Sequence, residues 1–226
     1  ICTVMVKHLA KSSFDLLQKY IGKTSTSLAK KKARLIFASF EKEPRRSKYP
    51  LEIKLDNFEL SFKNHSNVFS REKLDIGTRF FLENIPTGNY KTILDLGCAN
   101  GVVGIKAKLI NPKSKIIFCD ESMMAILSAE ANYDNFFSQE SATYSFSNCF
   151  ENQQESTVDL VLCNPPFHQI HTIGDFIALN MFKNAKKVLR TGGEIVVIGN
   201  SHLAYQVKLK KIFGNSTILN SNKKFM

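Results

Sequence analysis

Hydrophobic and polar residues follow two alternating rhythms along most of this chain. Five short apolar runs predict β-strands, the third being the weakest, at 93–96, 115–119, 144–146, 158–163 and 194–199. Four longer amphipathic stretches predict helices, at 102–110, 122–132, 175–190 and 203–213. Because strand and helix alternate about five times, the pattern predicts parallel strands joined by crossover helices, which is a doubly wound, mostly parallel α/β sheet.

Residues that favour caps and turns mark the limits of some elements. Ser70 is placed to cap a further helix whose apolar positions include Leu74, Phe81 and Leu82. The sequence Thr-Gly-Gly at 191–193 is expected to end the helix that precedes the last strand.

The first part of the chain has a different pattern. Residues 51–62 alternate apolar and polar around Asp56-Asn57, which predicts a β-hairpin. Residues 41–50 contain two prolines and six charges and are typical of a linker, while 27–34 form a basic helix or loop. We therefore expect a boundary near residue 50, between a partial N-terminal lobe (1–50) and the α/β domain (51–226).

Composition restricts the class of protein. The 226 residues are 43% hydrophobic, enough for one α/β domain and a smaller piece. No apolar run approaches the roughly 20 residues that span a bilayer, so no membrane partner is expected. A start at Ile1, without Met or a secretory signal, suggests a piece of a longer protein. Five scattered cysteines without a CxxC pair indicate reduced thiols in a cytoplasmic protein and predict no metal site.

Positive charge is concentrated at the N-terminus. Residues 1–50 hold 12 Lys/Arg and 3 Asp/Glu, whereas 51–226 hold 19 and 17. A basic lobe beside a nearly neutral domain favours a polyanion such as a nucleic acid as partner. The alternative is a solvated lysine-rich surface. The candidate RNA-binding residues are Lys30, Lys31, Lys32 and Arg34.

The first candidate ligand-binding loop is DLGCANG, residues 95–101, which follows the first strand of the sheet. Gly97 and Gly101 allow a tight turn and a close approach of a ligand to the backbone. The turn could be structural, or could hold a dinucleotide phosphate, but its spacing is not GxGxxG. Asp95 at the strand end suits a ligand that carries an amine, and S-adenosylmethionine has an amino acid moiety and no phosphate.

Asp120 ends the next strand, where an acid can accept hydrogen bonds from both hydroxyls of a ribose. Glu121 could serve instead, and a carboxylate at a helix start is also favoured by the helix dipole. Asn148, after the weak strand, could contact adenine or be an ordinary loop residue.

The motif NPPF, residues 164–167, follows the fourth strand and is the sharpest signal in the chain. The side-chain oxygen of Asn164 and the carbonyl of Pro165 can both accept hydrogen bonds from one NH2 group. Pro166 stiffens the loop, and Phe167 offers a face on which a base can stack. Two acceptors would localise the lone pair of a conjugated amine, so that the reaction needs mainly positioning against a methyl donor. The alternative is a proline-stiffened turn.

These motifs resemble those of the class I S-adenosylmethionine-dependent methyltransferases, which have a Rossmann-like fold. More narrowly, the chain is similar to the bacterial ribosomal RNA guanine-N2 methyltransferases, above all those of the large subunit (23S). The likeness covers nearly the whole chain and includes the segments IGKTSTSLAKKKARL, NVFSREKLDIGTRFFLENIP, DLGCANGVVG, DES, LCNPPFHQ and LKKIFGN.

The resemblance implies site residues. The methionine part of S-adenosylmethionine would lie among Asp95, Gly97 and Gly101, and the ribose would lie at Asp120. Asn164, Pro165 and Phe167 would hold the guanine. In addition, Asp75 and Gly77 would lie near the entrance, and the N-terminal lobe would be the end of an RNA-binding domain.

Ala99 departs from the glycine usual in the family and is strained if its φ is positive. Other outcomes remain open: methylation of a small-subunit guanine or of adenine N6, or a non-catalytic RNA-binding module with a methyltransferase fold.

Overall fold

The computed structural model describes residues 1–43, 46–55, 58–59, 61–151, 153–166 and 171–226, with the backbone alone at 171–175. The chain divides into two compact units, Ile1–Ser47 and Lys48–Met226.

The first unit is a three-stranded antiparallel sheet in the order β1-β3-β2, with one helix. Its elements are β1 (Cys2–Met5), α1 (Lys11–Tyr20), β2 (Thr24–Thr26) and β3 (Ala33–Ala38). The basic stretch expected to be a helix or loop is a loop as far as residue 32 and then enters β3, so its helical alternative is wrong. Ile36 on β3 is 4% exposed and packs at the centre of this small unit.

The second unit begins with a hairpin and a short helix and continues as alternating strands and helices. The hairpin strands and the helix are β4 (Leu51–Ile53), β5 (Phe62–Asn64) and α2 (Ile76–Leu82). The alternating elements are β6 (Thr92–Leu96), α3 (Val102–Ile110), β7 (Lys115–Asp120), α4 (Met123–Phe136), β8 (Thr143–Phe146), β9 (Val158–Cys163), α5 (His171–Val188), β10 (Leu189–Val197) and α6 (Tyr205–Phe213).

The five strands β6 to β10 form a parallel sheet in the order β10-β9-β6-β7-β8. The chain runs outward from β6 to β8 and then returns to place β9 on the other side of β6. This arrangement confirms the predicted doubly wound α/β fold. Because the winding reverses between β6 and β9, the carboxyl ends of these strands leave a crevice, which is where such sheets bind ligands.

Both faces of the sheet are covered, which explains why its strands read as continuous apolar runs. On one face, Ile93 and Phe118 belong to a buried cluster that includes residues of α2, α3 and α4. On the other face, Leu94 and Val161 belong to a cluster with residues of α5 and α6. The sheet is thereby held from both sides, and its loops start from fixed strand ends.

Three expected boundaries differ from the structure. The predicted cap Ser70 is wrong, because α2 starts at Ile76 and Asp75 accepts a hydrogen bond from the N–H of Thr78 at 3.0 Å. The hairpin pairs 51–53 with 62–64, farther from its turn than expected, and Asp56-Asn57 lie outside the described residues.

The Thr-Gly-Gly sequence at 191–193 does not end α5, which already gives way to β10 at Leu189. These residues lie within β10, where the pairing with β9 shifts register between Leu189 and Glu194. Gly192 has a φ of +78°, a conformation that glycine adopts easily, and the predicted helix-ending role is wrong.

Candidate active site

The loops after β6, β7, β8 and β9 open onto one cavity of about 380 Å³ in the second unit. Seven of the site residues predicted from the sequence line its wall: Gly97, Ala99, Asp120, Asn148, Asn164, Pro165 and Pro166. Phe167 lies outside the described residues. The cavity has a size typical of small-molecule sites.

The loop after β6 is held in a left-handed backbone conformation at alternate residues. The φ angles are +79° at Gly97, +48° at Ala99 and +81° at Gly101. The N–H groups of Gly97 and Cys98 both donate to the Cys119 carbonyl, at 2.8 and 2.9 Å. Ala99 therefore occupies the conformation in which a Cβ is unfavourable, and the expected strain at this position is present.

Gly101 supports the loop from behind the cavity wall. It precedes α3, and a Cβ there would come 3.0 Å from the Cβ of Ala129 and 3.2 Å from the ring of Phe118. The glycine is thus required by close packing between α3, α4 and β7, and the residue does not line the cavity.

Asp95 also lies behind the wall. It is 3% exposed, and its Oδ2 accepts a hydrogen bond from the N–H of Gly104 at 2.8 Å. Burial raises the pKa of Asp95 to about 7, the bond from Gly104 opposes this shift, and the charge of Asp120 adds to it. Asp95 ties the end of β6 to the first turn of α3 and is not among the cavity-lining residues.

Asp120 lines the cavity and is fixed by backbone donors on both carboxylate oxygens. Its Oδ2 accepts from the N–H of Ala99 at 3.0 Å, and its Oδ1 accepts from the N–H of Ser122 at 2.9 Å. Burial raises the pKa of Asp120, and these backbone bonds lower it. Since each carboxylate oxygen has a second lone pair, Asp120 can accept further hydrogen bonds from a ligand.

The turn after β8 is strained where it meets the cavity. Cys149 and Phe150, next to Asn148, have φ angles of +52° and +57°. The Nδ2 of Asn184 on α5 donates to the Cys149 carbonyl at 3.1 Å and holds the turn. Two left-handed residues that are not glycine cost roughly 1–2 kcal/mol each, so this strain marks the turn as a candidate ligand contact.

The cavity thiols are poor nucleophiles. Cys98 and Cys119 line the cavity, and burial raises the pKa of Cys119 to about 12 and that of Cys98 well above its ordinary value. Protonated thiols do not attack a substrate. The cavity is therefore suited to binding and orientation rather than to covalent catalysis.

The sequence interpretation missed the residues that close the cavity on its other side. Phe69, Leu74 and Thr78 line it, and Thr78 accepts a hydrogen bond from the Nδ2 of Asn164 at 3.0 Å. Of the two residues expected near the entrance, Asp75 caps α2 and Gly77 lies close to the ring of Phe225, while their neighbours Leu74 and Thr78 line the cavity. The segment NVFSREKLDIGTRFFLENIP, quoted for the resemblance, contains Phe69, Leu74 and Thr78. Only the three-dimensional structure shows that Thr78 contacts Asn164.

In the first unit, the candidate RNA-binding residues lie at a hairpin tip. Lys30 and Ala33 exchange backbone hydrogen bonds of 2.9 and 3.0 Å, and Lys31 and Lys32 are the two central residues, with φ angles of +49° and +64°. The three lysines are exposed, and Arg34 is half-buried. The tip thus presents three cations together.

Among the residues that the structure describes, no helix is long and apolar enough to cross a membrane. The same part of the chain contains no group of three or more His, Cys, Asp or Glu residues placed to hold a metal ion.

Comparison with known proteins gives consistent matches. Residues 59–226 match the model of the methyltransferase small domain, and residues 1–42 match that of the RLMG N-terminal domain. The chain is 45% identical to the ribosomal RNA large subunit methyltransferase G of Pseudoalteromonas atlantica, with 96% of this chain and 59% of that protein covered. It is also 45% identical to the enzyme of the same name from Pseudomonas aeruginosa, with 98% and 60% covered.

Among solved structures, the chain is similar to the 16S rRNA N2 methyltransferase RsmC of T. thermophilus, solved in complex with AdoMet and guanosine. The TM-score is 0.76 at 20% identity, with 95% of this chain and 60% of that chain covered. A precorrin-6y C5,15-methyltransferase from Geobacter metallireducens gives a TM-score of 0.51 at 15% identity, with 68% and 77% covered. The chain spans about three fifths of the length of the curated relatives that it matches.

Proposed function

Because the chain belongs to the methyltransferase small-domain family, we propose that it transfers a methyl group from S-adenosylmethionine to the exocyclic N2 amine of a guanine in ribosomal RNA. The names of these relatives point to the large-subunit (23S) RNA. The observation that carries the proposal is the presence of Asp120 and of the Asn164-Pro165 loop on the wall of one cavity.

The residues of the cavity fit S-adenosylmethionine. Asp120 has lone pairs left for the ribose hydroxyls after its two backbone bonds, and Asn148, which lines the same cavity, would contact the adenine. Gly97 and Ala99 supply backbone without bulky side chains for the amino acid end. When bound, S-adenosylmethionine supplies an electrophilic methyl group on a positively charged sulfur.

Asp95 and Gly101 have a supporting role in this proposal. Neither lines the cavity, and both would shape the loop at 97–100, which would hold the methionine part.

The loop after β9 orients the target amine. The Asn164 side-chain oxygen and the Pro165 carbonyl accept hydrogen bonds from its two N–H groups. These bonds localise the nitrogen lone pair toward the methyl donor. Pro166 has no N–H that would compete for these acceptors. Phe167 would stack on the guanine. No strong base is needed, because the amine loses its extra proton after the methyl group has moved.

The first unit provides the affinity for RNA. Its lysine tip at 30–32, with Arg34, would bind phosphates, an interaction that depends strongly on salt and little on base sequence. Recognition of the particular guanine would then fall to the cavity.

The test is to replace Asn164 by Ala and to measure methyl transfer to a 23S rRNA transcript and the affinity for S-adenosylmethionine. Loss of one preorganised polar contact costs about 10²–10³-fold in rate, whereas the affinity for S-adenosylmethionine should change little. The control is Asn135→Ala, which removes an exposed asparagine of α4.

Unchanged methyl transfer in Asn164→Ala would contradict the role given to the loop. A folded wild-type chain that does not bind S-adenosylmethionine would favour the non-catalytic RNA-binding module instead.

A further inference from the structure

We propose that Thr78 and Asp75 are positioning residues that set the orientation of the Asn164 amide. The inference rests on the proposed function and deepens it, because it explains how the side-chain oxygen of Asn164 comes to face the substrate amine.

The three residues form a chain of hydrogen bonds from α2 to the loop after β9. The Nδ2 of Asn164 lies 3.0 Å from the Oγ1 of Thr78, and that Oγ1 lies 3.5 Å from the Oδ2 of Asp75. The N–H of Thr78 also donates to the same carboxylate oxygen, at 3.0 Å. Thr78 is 5% exposed, so water does not readily replace these contacts.

The direction of the chain follows from the chemistry of each group. The Asp75 carboxylate can only accept, so the single hydroxyl proton of Thr78 is donated to it. The lone pairs of Thr78 are then left for Asn164, and they require a donor. The NH2 group of Asn164 is this donor. Its side-chain oxygen therefore lies on the other side of the planar amide, away from Thr78.

This orientation matters because an asparagine amide can rotate by half a turn without changing its shape. One orientation presents an oxygen to the target amine, and the other presents an NH2 group, which cannot accept a hydrogen from it. Thr78 stabilises the productive orientation before the substrate arrives, so the amide needs no rearrangement during the reaction.

The position of Thr78 is itself fixed. Asp75 caps α2 through the Thr78 N–H, and Phe81 and Leu82 of the same helix are buried in the core next to the sheet. Thr78 and Asn164 are 86 positions apart in sequence, so the contact joins two walls of the cavity. Two segments that both line the cavity thereby share one polar contact.

The kinetic test uses Thr78→Val, which keeps the shape and removes the hydroxyl. We expect kcat for methyl transfer to fall about tenfold, the size expected for one net hydrogen bond, while KM for S-adenosylmethionine changes little. Thr78→Ser restores the hydroxyl and should recover most of the lost rate. Thr92→Val, at the amino end of β6, is the matched control.

If the contact between Thr78 and Asn164 served stability alone, the measurements would differ. It would lower the melting temperature of Thr78→Val and leave kcat per folded molecule unchanged. That result, or an equal loss of kcat in Thr78→Ser, would overturn the inference.

A second measurement does not depend on activity. In ¹⁵N-labelled chain, the side-chain NH2 signals of Asn164 are identified by their absence from Asn164→Ala. Thr78→Val should shift these signals, and Thr78→Ser should return them toward the wild-type position. Unshifted signals in Thr78→Val would overturn the inference. If the wild-type chain transfers no methyl group, the proposed function fails, and the NMR comparison still decides whether Thr78 holds the amide.

Discussion

The two units of this chain differ in how many apolar side chains they bury. In the first unit, Ile36 is the one apolar side chain that is buried among the described residues, and Leu28 on the same unit is 90% exposed. In the second unit, both faces of a five-stranded sheet are buried by helices. The second unit has a core that can hold a rigid site, whereas the first has little apolar burial and a high density of charge.

Positive charge is concentrated in the first unit, which buries few apolar side chains. Residues 1–47 contain 11 Lys/Arg and 3 Asp/Glu, whereas 48–226 contain 20 and 17. A surface that binds phosphates needs cations and little packing, and a cavity that orients a base needs fixed atoms. The proposed function would use this contrast, with RNA affinity coming from the first unit and the chemistry taking place in the second.

The largest effect should come from removing a core side chain of the second unit. Phe118 on β7 is 0% exposed and packs against Tyr133 and Tyr144. We expect Phe118→Ala to lower the free energy of unfolding of this unit by about 3–5 kcal/mol. Phe37→Ala in the first unit, where the side chain is 37% exposed, should change stability by much less. Urea unfolding followed by circular dichroism measures both. Equal losses would show that the two units are packed alike.

Asp95 should make the stability of the second unit depend on pH. Its pKa is raised from an ordinary value of 3.8 to about 7, chiefly by burial. Between these values the folded state keeps a proton that the unfolded state has lost. The contribution is therefore complete below about pH 4 and is lost as the pH rises through about 7.

Asp95→Asn should remove this fall, since asparagine is neutral at every pH and can still accept the Gly104 N–H. The difference in unfolding free energy between wild type and Asp95→Asn should change by a few kcal/mol from pH 4 to pH 8, at 1.36 kcal/mol per pKa unit. Asp134→Asn, an exposed change on α4, is the control. A difference that does not vary with pH would show that Asp95 is ionised throughout this range.

Much of the second unit follows from its sequence. The apolar runs of β6, β7 and β9 are buried on both faces, so they can be recognised without knowing their neighbours. Their order in a doubly wound sheet brings the loops after them to one edge, which explains why Gly97, Asp120 and Asn164 could be chosen from sequence. The resemblance to methyltransferases is confirmed by the family match over 59–226.

The remaining features depend on contacts between distant residues. Thr78 lines the cavity because α2 packs beside a loop 86 positions away, and no local pattern records that. Asp95 and Asp120 look alike as strand-end acids, and only the structure shows that one lies behind the wall and the other on it. In the first unit, the strands are three to six residues long and mostly exposed, so their periodicity is weak.

The smallest stability effect concerns the lysine tip of the first unit. Lys31 and Lys32 are both left-handed at the centre of a two-residue turn, where Asn-Gly is the preferred sequence. Two lysines there cost roughly 1–2 kcal/mol each, and strain of this kind points to a use of their side chains. Replacing Lys31 by Asn and Lys32 by Gly should therefore stabilise the first unit by about 1 kcal/mol.

The same double change should weaken binding to RNA. If both lysines contact phosphates, the slope of log affinity against log salt should become shallower by roughly 1–2. Replacing Lys91 and Lys113 by Asn removes two exposed cations near the amino ends of β6 and β7, away from the cavity, and should leave the slope unchanged. If the double variant is more stable but its RNA affinity keeps the same salt dependence, the strained lysines have no role in RNA binding. A gain in stability together with a shallower salt slope would instead show that the two lysines destabilise the turn and contribute to RNA binding.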